Sequence, residues 1–127
     1  GEKINKMQQP FFFLYYNIST HYPNNLPKGY KEKFPQMNFS GQMKSMSYYN
    51  ECLEKFFHDA SQKPWFENTV FIFCSDHWMD PDARYLTNDV VQSFHIPIII
   101  YEPLNSQGKV IATPVSQFDI LNTILSN

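Results

Sequence analysis

The sequence predicts an α/β domain, a mainly parallel sheet with flanking helices. Three observations point there. Short continuous apolar runs occur at residues 10–16 (PFFFLYY), 69–74 (TVFIFC) and 96–101 (IPIIIY). Their length and their aromatic and β-branched content suit strands buried on both faces. A long amphipathic stretch at 43–61 separates the first two runs, and a strand–helix–strand crossover is nearly always right-handed and leaves its strands parallel.

The 127 residues make one domain, 1–127. With 43% hydrophobic and 17% charged residues the chain should fold rather than stay disordered. A net charge of −2 argues against a binder that neutralises nucleic-acid phosphates, so no nucleic-acid partner is expected. The 2 cysteines are too few for a disulfide framework and are expected as buried thiols. No apolar run approaches the roughly 18 residues that span a bilayer. No signal-peptide pattern opens the chain.

The elements follow in order. The run 10–16 is the first strand. Residues 17–41 are rich in Asn, Pro, Lys and Ser and read as a long loop, a feature usually functional or mobile. In 43–61, Met46, Tyr49, Leu53, Phe56, Phe57 and Ala60 recur at helical spacing and share one face, and Pro64 ends the segment. The second strand, 69–74, leads into a polar loop, 75–88. The third strand, 96–101, enters through Pro97. A short edge strand at 109–113 and a closing helix at 115–126 complete the reading, with Phe118, Ile120, Leu121, Ile124 and Leu125 as the helix's apolar set.

Parallel strands place their following loops on one sheet edge, and ligands of open α/β sheets bind at that carboxyl edge. Ser19-Thr20-His21 follows the first strand and Ser75-Asp76-His77 the second. Carboxylate oxygen and imidazole nitrogen in Asp76-His77 together suit a divalent ion. The same dipeptide also suits an Asp capping a turn beside an exposed His. His21 is either a loop histidine or a donor to an anionic oxygen. His95 precedes the third strand and would lie at the far end of a parallel sheet, so it reads as structural. Asp80 and Asp82 suit local turn bonds, and Asp119 suits the start of the last helix. There is no Gly-rich phosphate loop, no Cys-pair zinc pattern and no nucleophile elbow. A catalytic metal usually has three protein ligands and an open position; two donors without a nucleophile look like half a site.

Taken together, STHYP, SYYNECLEKFF, NTVFIFCSDH, FHIPIIIYEP and VSQFDILNTIL resemble the C-terminal half of the sulfatase branch of the alkaline phosphatase superfamily. The nearest group is the lipoteichoic acid synthase-like phosphoglycerol transferases and their phosphoethanolamine-transferring relatives. The resemblance runs from about Pro10 to Leu125. It implies that Asp76 and His77 ligate the catalytic metal and that His21 contacts the substrate's phosphate or sulfate group. The helix pattern is met by Tyr48, Leu53 and Phe56, with Asn50 where Asp is usual. The closing pattern is met by Ser116, Gln117, Asp119, Ile120 and Thr123, with Asn122 where Pro is usual. Trp78 stands where a Gly is common.

The resemblance also implies a partial alkaline-phosphatase-like α/β/α sandwich and a divalent metal (Mn, Mg, Zn or Ca). The implied reaction is attack by a metal-activated hydroxyl on a phosphate or sulfate ester, such as that of a lipid head group. The nucleophile and the remaining ligands would come from the missing N-terminal half of the parent domain, so no catalytic nucleophile is expected in this chain and it should be inactive alone. The parent would be membrane-anchored with an extracytoplasmic catalytic domain at the cell envelope, this chain itself being soluble. Two other readings stand beside the transferase: a hydrolytic sulfatase or phosphodiesterase, and a non-catalytic α/β module that binds an anion or a partner.

Overall fold

The computed structural model describes residues 2–33, 35–78, 94–105 and 107–126. A short helix α1 (Glu2–Asn5) opens it, and a 3-10 turn (Pro35–Met37) precedes the long helix α2 (Gly41–Ala60). Strands β1 (Phe71–Cys74) and β2 (Ile98–Tyr101) follow, then helix α3 (Asp119–Leu125).

Helix α2 starts where the sequence supplies a cap. The Ser40 hydroxyl accepts from the Met43 amide at 3.4 Å, satisfying one of the helix's free N–H groups. Its far end carries the aromatic core. Ile4, Ala60, Trp65 and Phe66 are buried, with Phe11, Phe56, Phe57 and Phe71 packed against them. The Phe57 ring lies 5.1 Å from Phe71, 5.9 Å from Phe73 and 5.6 Å from Tyr101, so one side chain joins the helix to both strands. Trp65 donates its indole N–H to Asn5 Oδ1 at 2.8 Å, pinning α1 to the same core.

The long loop expected at 17–41 is strapped along α2. Asn24 accepts from the fully buried Ser45 at 3.1 Å. Lys44 pairs with Glu32 at 2.9 Å, Tyr30 donates to Glu51 at 2.6 Å and Lys33 pairs with Glu54 at 3.3 Å. Gly29, at φ +79°, makes the turn that delivers Tyr30; a side chain there would be strained.

Three expectations need correction. First, β1 and β2 pair antiparallel, with Phe71 opposite Tyr101 and Cys74 opposite Ile98, so the mainly parallel sheet is not what the described strands form. The crossover reading concerned the run 10–16 and β1, with α2 between. The sequence predicts a polar loop, 75–88, after β1, and antiparallel strands need no helix between them. Second, residues 10–16 and 109–113 form no strand. Among the described residues the first run has no ladder partner, and a strand exists only through a partner's hydrogen bonds. Third, the strands are not buried on both faces: Ile99 and Ile100 are about half exposed, and Cys52 and Cys74 are free and exposed rather than buried. The closing helix starts at Asp119, four residues later than the expected 115, because 116–119 forms a turn first.

Candidate functional site

The site forms where β1 ends. Past Cys74 the backbone bends, so Asp76 and His77 escape the alternation that would send them to opposite faces. Asp76 Oδ1 accepts from the His77 amide at 3.0 Å. Asp76 Oδ2 accepts from the Tyr16 hydroxyl at 2.9 Å. That hydroxyl holds the Asp76 carboxyl below its ordinary range, against the opposing effect of desolvation, and the same bond pushes the Tyr16 hydroxyl up.

His77 is oriented by its neighbour. Its Nδ1 lies 2.7 Å from the Trp78 carbonyl oxygen. A carbonyl can only accept, so Nδ1 carries a proton and donates, which in the neutral ring leaves the Nε2 lone pair free. Nε2 is 3.8 Å from Asp76 Oδ2. These two atoms are the ones that would hold a divalent cation here. An ionised carboxylate and a neutral imidazole with a fixed tautomer are a fitting donor pair for a divalent cation. Trp78 is half-buried beside them.

His21 sits in a compact turn: its amide donates to Ile18 O at 3.2 Å and its carbonyl accepts from Asn24 N at 2.8 Å. Its Nδ1 lies 2.7 Å from the Tyr22 carbonyl, which places the proton there and leaves Nε2 to a ligand. The Asn24–Ser45 bond anchors this turn to α2. The run 10–16 does reach the carboxyl end of β1, through Tyr16 on Asp76. The described hydrogen bonds of His21 stay within its own turn. Among the described residues no three His, Cys, Asp or Glu side chains converge as an ion site.

The antiparallel register also moves His95. It precedes β2, whose first residue lies opposite Cys74, so it belongs to the same sheet end as Asp76 rather than the far one. Asp80 and Asp82 lie outside the described residues. Asp119 closes a turn, accepting at Oδ2 from the Ser116 amide at 2.7 Å and its hydroxyl at 3.1 Å.

Two site residues escaped sequence reasoning. Tyr16 read as the last apolar residue of a strand; its hydroxyl at the strand's carboxyl end was the available signal. Gln117, part of the closing pattern but given no role by it, donates to Ser75 O at 2.6 Å and to Asp76 O at 3.2 Å, a contact across about forty residues.

A carboxylate–imidazole pair thus stands at the end of β1, held by a phenol and a backbone carbonyl. The sequence matches the Sulfatase family model over residues 2–126, and the chain belongs to the sulfatase family, within the alkaline phosphatase superfamily. That family has an alkaline-phosphatase-like α/β fold, and its members are generally divalent-metal-dependent hydrolases or transferases. No solved structure matches the chain.

Proposed function

We propose that this chain is the C-terminal part of the catalytic domain of a phosphoglycerol- or phosphoethanolamine-type transferase, extracytoplasmic and membrane-anchored through its parent. Asp76 and His77 would hold the metal. The observation that carries the metal assignment is the free His77 Nε2 lone pair lying 3.8 Å from Asp76 Oδ2. The choice of transfer over hydrolysis rests on the ordered motifs from STHYP to VSQFDIL.

A divalent ion bound there would act as a Lewis acid toward charge developing on the ester. The chain's own residues do the rest. Asp76 supplies the negative charge, kept ionised by Tyr16. His77 offers Nε2 because Trp78 O holds Nδ1–H. His21, as an imidazolium, would donate from Nε2 to an anionic ester oxygen and stabilise it. The nucleophile would come from the parent's N-terminal half.

The test is metal-dependent turnover by the parent enzyme on a chromogenic phosphodiester and a sulfate ester, with and without a polyol acceptor. Asp76→Ala and His77→Ala should each cost at least the roughly 10–100-fold expected even for residues one step removed from a metal. A parent indifferent to Asp76→Ala overturns the metal assignment. Release of the group to water at a rate unaffected by any acceptor overturns the transferase in favour of the hydrolase.

A further inference from the structure

We propose that Gln117 is a positioning residue for the Asp76–His77 pair, its side-chain amide tying the strand-end backbone into the bend that presents the two donors. The proposal rests on the metal-pair reading above. The Gln117 amide has two N–H groups, and Nε2 reaches two consecutive carbonyls, Ser75 O at 2.6 Å and Asp76 O at 3.2 Å. In a regular strand successive carbonyls point in opposite directions, to opposite neighbours. One amide can serve both only where the chain has bent.

Gln117 is itself held. The Asp119 amide donates to Ser116 O at 3.0 Å. In return Asp119 Oδ2 accepts from the Ser116 amide and hydroxyl at 2.7 and 3.1 Å. Residues 116–119 are therefore a closed turn with Gln117 inside it. The bend at Asp76 is then fixed from two sides, by Tyr16 on the carboxylate and by Gln117 on the backbone. Gln117 touches neither donor atom, so it acts through the backbone. Because the bend is exposed, water can replace the lost bonds, and removing the amide should loosen the bend without unfolding the chain.

Gln117→Glu keeps the shape, removes the donor and sets a carboxylate against two carbonyls. NMR of the metal-free chain, with ¹⁵N-labelled histidine, reads the consequence directly. In the unaltered chain His77 should show one tautomer, protonated at Nδ1. In Gln117→Glu it should show a mixture, and the amides of residues 75–77 should exchange with solvent roughly 10-fold faster. The Mn²⁺ concentration that half-broadens the His77 ring signal should rise about 10-fold or more. Circular dichroism should be unchanged; if Gln117→Glu unfolds the chain, Gln117→Ala supplies the same readouts without the charge. Unaltered His77 shifts and amide exchange in a folded variant overturn the proposal. If Mn²⁺ fails to broaden His77 in the unaltered chain, the metal reading fails instead, and the tautomer and exchange data still decide the role of Gln117.

Discussion

At Asp76 one exposed carboxylate serves three neighbours: Tyr16 and the His77 amide donate to it, and His77 Nε2 lies 3.8 Å away. A carboxylate has about four acceptor sites, so two bonds leave room for a cation. The Tyr16 bond is the main reason its carboxyl sits low. A group whose folded pKa is depressed adds stability above its unfolded value, about 3.9 for Asp, and loses it as pH falls through the folded value. Tyr16→Phe should therefore raise the Asp76 midpoint toward the ordinary value, read from its carboxyl ¹³C shift. The variant should be less stable than the unaltered chain near neutrality, and the two should converge in acid. An unmoved midpoint would show that the phenol does not hold the carboxylate.

Helix α2 joins the loop that carries His21 to the core beneath the strands. Phe57 contacts Phe71, Phe73 and Tyr101, so Phe57→Ala should destabilise by about 3 kcal/mol or more, with Leu53→Ala and Phe56→Ala costing about 2 kcal/mol. Glu54 makes one exposed ion pair with Lys33, so Glu54→Ala should stay within about 0.5 kcal/mol. A denaturant titration separates them. Tyr30 reports the loop's docking: its hydrogen bond to Glu51 is the largest reason its hydroxyl is pushed up to about 12. That raised value adds stability below the unfolded value of about 10, and the gain disappears as pH climbs through 12. Tyrosinate absorbance should lose a late-titrating component in Tyr30→Phe. α2 was legible because helical periodicity is local, running from Met46 to Ala60. Strand pairing was not, because direction depends on a partner distant in sequence, and IIIY fits either direction. Asp76 and His77 were legible as a strand-end dipeptide, whereas Tyr16 and Gln117 become visible only through the contacts the fold makes.

At the scale of the molecule, large apolar side chains are left uncovered: Phe12 and Leu14 are 75% and 78% exposed in the run 10–16, and Phe118 is 90% exposed beside Gln117. Four-residue strands in a two-stranded sheet are also marginal by themselves. The donor count points the same way, because Asp76 and His77 alone leave an ion mostly hydrated. These two deficits, of surface and of ligands, would both be met by the parent's N-terminal half. The chain alone should therefore bind a hydrophobic dye, hold Mn²⁺ weakly and turn over neither a phosphodiester nor a sulfate ester. Mixed with the separately produced N-terminal half, it should lose dye fluorescence and gain metal-dependent turnover together. Phe12→Lys with Leu14→Lys should block that gain while leaving Asp76 and His77 in place. Robust turnover by the chain alone would end the half-site reading, and complementation indifferent to the two lysines would show that the run 10–16 is not part of the docking face.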